Sequence, residues 1–147
     1  MKKISAMLVL LLAVQVTGRT QELPKVFLPG SEIQKITSHI INGQEYELDI
    51  SLPSGYGNST KKYPVVFLMD AQWDFPLLKS IYGQQYFDGF VPEMIIIGVT
   101  WGGTNPNPDS LRARDYTPTT EKRLPQSGGA ENFISFIKRS KNFPIQL

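Results

Sequence analysis

The sequence predicts an α/β fold in which an antiparallel hairpin leads into a strand–helix–strand unit. Residues 45–52 alternate between polar and apolar side chains, which is typical of a strand with one buried face. Two later segments, 65–69 and 94–99, are apolar at nearly every position, and apolar residues recur at helical spacing between them. Continuous apolar runs suit strands that are covered on both faces, as in a parallel sheet.

The first 18 residues have the organisation of a secretory signal peptide. Lys2 and Lys3 precede an apolar stretch, 4–16, which is followed by Thr17 and Gly18. We expect cleavage after Gly18 and a secreted or periplasmic protein. The apolar stretch is shorter than the ~20 residues that span a bilayer, so we expect no stable membrane span after cleavage.

Residues 19–31 contain two prolines and several polar residues, and they are predicted to be a linker. A first strand is predicted over residues 33–41. Asn42-Gly43 predicts a two-residue hairpin turn. The return strand over residues 45–52 should place four apolar side chains on its buried face: Tyr46, Leu48, Ile50 and Leu52.

The segments 65–69 and 94–99 are the predicted strands of a βαβ unit, with a helix over about residues 75–87 between them. Residues 101–126 are rich in Gly, Pro, Asn, Asp and Arg and predict a long loop, which is usually functional or disordered. A short amphipathic helix should follow Ser127-Gly128-Gly129, in which a helix N-cap explains the serine. Its apolar stripe is Phe133, Ile134, Phe136 and Ile137.

Composition and charge exclude several classes of function. Hydrophobic residues make up 41% and charged residues 19%, as in ordinary folded proteins. With no cysteine, the chain has no disulfide, thiolate metal site or cysteine nucleophile. The net charge of +2 falls to 0 when Lys2 and Lys3 leave with the signal peptide. We therefore expect no nucleic-acid partner.

Five segments in sequence order resemble the "putative esterase" branch of the α/β hydrolases, which includes esterase D-like enzymes, enterochelin esterases, feruloyl esterases and mycolyltransferases. They are residues 52–56 (LPSGY), 63–70 (YPVVFLMD), 95–99 (IIIGV), 114–118 (RDYTP) and 127–133 (SGGAENF). The resemblance covers about residues 32–138 and leaves an atypical tail, 139–147. It implies a partial α/β-hydrolase sheet that is truncated before the nucleophile elbow.

In that family the elbow G-x-S-x-G carries the nucleophilic serine, and an acidic residue and a histidine follow it. The sequence contains no G-x-S-x-G, and its one histidine, His39, lies on the predicted hairpin. We therefore expect the N-terminal part of an exported serine esterase that has no catalytic residue of its own. The intact parent would act on a small-molecule ester without a cofactor. The alternative is a secreted, non-catalytic binding module that recognises carbohydrate.

The resemblance implies one catalytic contribution from this chain, the backbone N–H of Gln72 as the first donor of an oxyanion hole. Arg112, Arg114 and Trp101 are possible substrate-loop residues, although a solvated loop in which Arg114 and Asp115 hold local turns is the simpler explanation.

Other candidates have simpler explanations. Asp70 is expected to cap the loop by accepting backbone N–H bonds. Trp73 and Phe75, like Trp101, could line an acyl pocket or belong to the core. His39 has no neighbouring ligands that would make a metal site.

Overall fold

In the part of the chain that the structure describes, four strands form one mixed sheet in the order β1-β2-β4-β3, with three helices packed around it. The computed structural model describes residues 28–58 and 60–139. The predicted signal peptide, residues 19–27 of the predicted linker and residues 140–147 lie outside the described residues. The elements are β1 (Ser31–Thr37), β2 (Glu45–Ser51), β3 (Val65–Leu68), α1 (Ala71–Phe87), β4 (Ile95–Trp101), α2 (Pro108–Tyr116) and α3 (Ala130–Arg139).

Strand pairing confirms the predicted hairpin and βαβ unit. β1 pairs antiparallel with β2 from Ser31↔Ser51 to Thr37↔Glu45, and β2 pairs antiparallel with β4. β3 and β4 run parallel, with Val65 opposite Ile95. Ile95, Ile96 and Ile97 in β4 are all at most 2% exposed, as expected for a strand covered on both faces.

The connection between β1 and β2 is longer than the predicted two-residue turn. β1 begins at Ser31, inside the predicted linker, and ends at Thr37, and residues 38–44 connect it to β2. The buried Ser38 hydroxyl accepts hydrogen bonds from the N–H groups of Ile40 and Ile41, which are 3.2 and 2.9 Å away. This local bonding turns the backbone before Asn42 and ends the strand early.

One helix boundary and one predicted loop needed correction. α1 begins at Ala71, immediately after the β3 loop, and not near residue 75. The long loop contains a helix, α2, whose start is marked in the sequence by Asn107 and Pro108. The Asn107 side chain accepts from the N–H of Ser110 at 3.0 Å, and proline suits the first helical turn.

The two faces of the sheet carry different helices. Tyr46, Leu48 and Ile50 of β2 pack with Phe133 and Phe136 of α3 on one face, and Leu111 and Tyr116 of α2 join them. On the other face, Ala71 and Phe75 of α1 pack on Ile96. The prediction for α3 was wrong at Ile134, which is 49% exposed and lies outside the buried stripe.

The outer side of α1 exposes a row of large apolar side chains. Trp73, Leu77 and Ile81 follow one another at intervals of four residues and are 57%, 61% and 51% exposed. Since β3 is at the end of the strand order, its outer edge has no strand partner within the described residues. No helix in this part of the chain is long and apolar enough to cross a bilayer.

Candidate active site

The candidate site lies where β3 ends and α1 begins. Because β3 and β4 are parallel, the segments that follow them leave the sheet at the same edge, which is where ligands bind in α/β folds. Gln72 is the second residue of α1, and its backbone N–H has no hydrogen-bond acceptor among the described residues. A free N–H at a helix start is suited to binding a developing negative charge.

The side chain of Gln72 is anchored separately from its backbone. Its Oε1 accepts a hydrogen bond from the hydroxyl of Thr100 in β4, at 2.5 Å. The side chain is therefore tied to the sheet, while the exposed residue keeps its N–H available. This contact links the first turn of α1 to the end of β4.

Asp70, the residue before α1, does not act as the predicted cap. Its side chain accepts no helix N–H, because the carboxylate is bound by the guanidinium of Arg112. Arg112 Nε lies 2.9 and 3.1 Å from the two carboxylate oxygens, and Nη2 lies 2.9 Å from Oδ2. The hydrogen bonds and charge of Asp70 raise the pKa of Arg112. This contact places Arg112 beside the turn that carries Gln72.

Arg114 and Trp101 converge on a different residue, the buried Asp115. Asp115 Oδ2 accepts from the indole N–H of Trp101 and the hydroxyl of Tyr46, each at 2.7 Å. Arg114 donates from Nε to Oδ1 at 2.6 Å and from Nη2 to Oδ2 at 3.0 Å. Although partial burial lowers it, the net pKa of Arg114 is raised because Asp115 bonds and attracts the guanidinium.

These hydrogen bonds attach α2 to the sheet. Asp115 is 1% exposed and Trp101 5%, so both lie in the core. Burial and the hydrogen bond to Asp115 raise the pKa of the Tyr46 hydroxyl, which keeps that group a neutral donor. Arg114 also donates to Gln44 Oε1 at 2.9 Å. The structure therefore brings Arg112 to the β3–α1 turn, but it directs Arg114 and Trp101 to Asp115.

The segment before α3 packs on the end of α2. The N–H of Gly129 donates to the Arg114 carbonyl at 2.8 Å, and a Cβ at Gly129 would approach that oxygen to 2.8 Å. The N–H of Gly128 donates to the Thr117 hydroxyl at 2.7 Å. Contrary to the predicted N-cap, the Ser127 hydroxyl bonds within the preceding loop, to the Leu124 carbonyl and the Glu121 N–H.

A cleft of about 350 Å³ lies on the α1 side of the sheet, beside Gln72. Phe75 lines it but is 3% exposed and packs mainly in the core, whereas Trp73 is 57% exposed on the outer side of α1. Asp49 also lines the cleft, and burial, with the charge of Glu47, raises its pKa. The two aromatic side chains are thus not brought together as one pocket wall.

The described residues contain no serine hydroxyl that is hydrogen-bonded to a histidine base. His39 is exposed in the β1–β2 connection, and no serine hydroxyl within residues 28–58 and 60–139 is hydrogen-bonded to it. The same residues hold no cluster of three or more His, Asp or Glu side chains arranged for a metal ion. The site therefore offers one backbone hydrogen-bond donor, the Gln72 N–H, on a helix turn that is hydrogen-bonded to Thr100 of the sheet.

The sequence matches the profile of the family described as "Putative esterase" over residues 38–140. That segment is more than half of the 147-residue chain. The chain belongs to this esterase family. The match includes the β3–α1 turn and α2, which form the candidate site, and the whole of α3.

Several solved structures have an arrangement of strands and helices similar to that of this esterase-family chain. The BES protein from Bacillus cereus is 27% identical with a TM-score of 0.65, and the match covers 82% of this chain and 47% of that one. An IroE-like serine hydrolase from Shewanella oneidensis is 29% identical with a TM-score of 0.59, covering 74% and 35%.

A third similar structure is the siderophore hydrolase EstB from Aspergillus nidulans, which is 19% identical with a TM-score of 0.64 and shares the fold. It is covered over 44% of its length, and this chain over 80%. The esterase-family chain therefore spans less than half of each of these structures. Among curated proteins, none matches the sequence.

For this esterase-family site, sequence reasoning anticipated the Arg114–Asp115 contact but missed the roles of Asp70 and Tyr116 and the bonds of Asp115 to the sheet. The Asp70–Arg112 and Tyr46–Asp115 contacts join residues 42 and 69 positions apart. No local pattern specifies such pairings. One signal was present, because Arg112 and Tyr116 are four residues apart and share a face once the segment is helical.

Proposed function

We propose that this chain is the N-terminal part of an exported serine esterase and contributes one half of the oxyanion hole through the backbone N–H of Gln72. The observation that carries the proposal is the free N–H at the start of α1, directly after a core strand of an esterase-family sheet. In acyl transfer, such a donor stabilises the negative oxygen of the tetrahedral intermediate.

The proposed reaction needs groups that this sequence does not contain. A serine hydroxyl is a poor nucleophile without an adjacent base. The sequence has no G-x-S-x-G, and its single histidine lies in the hairpin connection. Support for a longer parent comes from the matched structures, of which this chain covers only 47% and 35%, and from the outer edge of β3, which pairs with no strand within the described residues.

Two of the expected substrate-loop residues have a supporting role in this proposal. The guanidinium of Arg114 and the indole N–H of Trp101 are occupied by Asp115 and hold α2 on the sheet. Arg112 is exposed and binds the carboxylate of Asp70, directly before α1, so this contact places Arg112 beside the proposed oxyanion hole. The substrate class is a small-molecule carboxylic ester.

The coding sequence after codon 147 tests the proposal. We expect one reading frame to contain G-x-S-x-G followed by an acidic residue and a histidine, and we expect the 147-residue chain alone to hydrolyse p-nitrophenyl acetate no faster than buffer. Absence of the elbow in all three frames contradicts the proposal. So does activity of the chain alone that a serine-directed inhibitor abolishes.

Gln72→Pro tests the backbone donor in the parent protein. Proline deletes the N–H, and in the first turn of a helix it removes no intrahelical hydrogen bond. We expect kcat to fall by about 10²–10³ with the fold retained, which is the usual effect of losing one oxyanion donor. The matched control is Gln72→Ala, which keeps the N–H and should retain most of the activity. Equal activity of the two variants would exclude this N–H from the oxyanion hole.

Export is part of the proposal, and its signal lies outside the described residues. Lys2, Lys3 and the apolar stretch 4–16 support it. The secreted or periplasmic protein should therefore begin at Arg19. Intact mass measurement of the protein recovered from outside the cytoplasm checks this, and a mass that includes Met1 would contradict it.

A further inference from the structure

The backbone at Asp70 is held in a conformation that it would not favour by itself. Asp70 has φ 56° and ψ 38°, in the left-handed region. Aspartate tolerates this region better than most residues, but glycine is the residue that adopts it freely. A left-handed residue at the start of a helix therefore calls for neighbouring contacts that keep it there.

Two side chains from α2 supply these contacts. The Arg112 guanidinium donates hydrogen bonds to both carboxylate oxygens of Asp70, and the Tyr116 hydroxyl accepts a hydrogen bond from the Asp70 backbone N–H at 3.3 Å. The guanidinium carbon of Arg112 also lies 5.7 Å from the centre of the Tyr116 ring, in cation–π contact. The side chain and the backbone of one residue are thus held from the same helix face.

The conformation of Asp70 determines where the first N–H groups of α1 point. The Asp70 carbonyl accepts from the N–H groups of Trp73 and Asp74, at 3.0 and 3.1 Å. A rotation about the Asp70 backbone bonds would break this first turn and swing the Gln72 N–H, two residues along, to a new direction. α2 itself is anchored to the sheet by the buried Asp115.

We propose that Arg112 and Tyr116 are positioning residues that hold the β3–α1 turn in its left-handed form and thereby aim the Gln72 N–H. The effect of these contacts on catalysis rests on the proposed function, but their effect on the conformation of the turn does not. The alternative is an ordinary surface ion pair. Exposed pairs contribute little to stability, and the Arg112 side chain is 46% exposed.

The positioning role predicts a local effect that exceeds the global one. In the ¹⁵N-labelled full chain, Arg112→Gln should shift the Ala71 and Gln72 amide resonances. It should also speed hydrogen exchange at Asp70, Trp73 and Asp74 about fivefold or more. Exchange at Ile97, in the middle of β4, should stay unchanged. Tyr116→Phe removes only the acceptor of the Asp70 N–H and should speed exchange mainly at Asp70.

Asp70→Gly provides a rescue that separates positioning from simple bracing. Glycine adopts the left-handed conformation without support, so exchange at Trp73 and Asp74 in the Asp70→Gly/Arg112→Gln double variant should be as slow as in the wild type, although the double variant lacks the ion pair altogether. The matched control is Arg123→Gln, in an exposed part of the loop after α2, which should leave the turn unchanged.

Wild-type resonances and exchange at residues 70–74 in Arg112→Gln would overturn the inference, as would equal acceleration at Ile97. Failure of the Asp70→Gly rescue would also overturn it. None of these outcomes depends on ester hydrolysis. The NMR results can therefore exclude the positioning role even if a G-x-S-x-G is found after codon 147. Conversely, absence of G-x-S-x-G would contradict the proposed function without changing the NMR results.

Discussion

Replacing Asp115 with alanine should lower the free energy of unfolding by about 3–5 kcal/mol, because it removes the acceptor shared by three donors around a buried carboxylate. The Tyr46 hydroxyl and the Trp101 indole N–H would each lose their 2.7 Å bond and remain in the core. Arg114 would keep its charge without its carboxylate partner. Total stabilities are about 5–15 kcal/mol, so this variant should be largely unfolded under mild denaturant.

Urea titration followed by far-ultraviolet circular dichroism measures this effect. Asp115→Asn keeps an oxygen that Tyr46 and Trp101 can reach but loses the charged pair with Arg114, so its loss should be smaller than that of alanine. The control is Asp109→Ala on the exposed side of the same helix, which should change stability by about 0.5 kcal/mol or less. An Asp115→Ala midpoint equal to that of the control would show that the network does not stabilise the fold.

The parts of the fold that could be predicted from the sequence are those encoded by local periodicity. The alternation in β2 identified its buried face, and Tyr46, Leu48 and Ile50 are at most 3% exposed. The apolar run in β4 likewise indicated a strand covered on both faces. Both patterns result from burial of neighbouring residues on one element, so they appear directly in the sequence.

The prediction errors arose where the hydrogen bonds of individual side chains, and not the average composition of the segment, determined the local structure. The Ser38 hydroxyl bonds two nearby N–H groups and ends β1 before the Asn-Gly pair, which by itself is typical of a tight turn. α2 forms in a polar segment because Asn107 and Pro108 favour a helix start there, and because the buried Asp115 bonds the helix to the sheet.

The candidate site was predictable only in part, for the same reason. The position of Gln72 after a core strand followed from the family pattern. The different partners of Arg112 and Arg114 could not be predicted in this way. These arginines lie two residues apart but bind carboxylates on different elements. Arg114 bonds its sequence neighbour Asp115, whereas the partner of Arg112 depends on the rotation of α2 about its axis. Long-range packing sets that rotation.

Gly98 is the position in the sheet where a small addition should have the largest effect. Gly98 lies in β4 under the start of α1, and a Cβ there would lie 2.7 Å from the Cβ of Ala71 and 2.9 Å from Cδ2 of Phe75. The Ala71 Cβ is fixed to the backbone and cannot rotate away. Gly98→Ala must therefore push the first turn of α1 off the sheet, at an expected loss of about 1–3 kcal/mol of stability.

The displaced turn is the one that carries Gln72, so the same substitution should also move the proposed oxyanion donor. Ala71→Gly removes the closest atom, and the double variant Ala71→Gly/Gly98→Ala should lose less stability than the sum of the single variants. The control is Gly83→Ala within α1, where an added Cβ meets nothing within 4 Å and should raise stability by about 0.5–1 kcal/mol. Strictly additive losses at Ala71 and Gly98 would mean that α1 does not rest on β4 at this contact. The Gln72 N–H would then depend on the contacts of Asp70 with Arg112 and Tyr116 and on the Thr100 hydrogen bond.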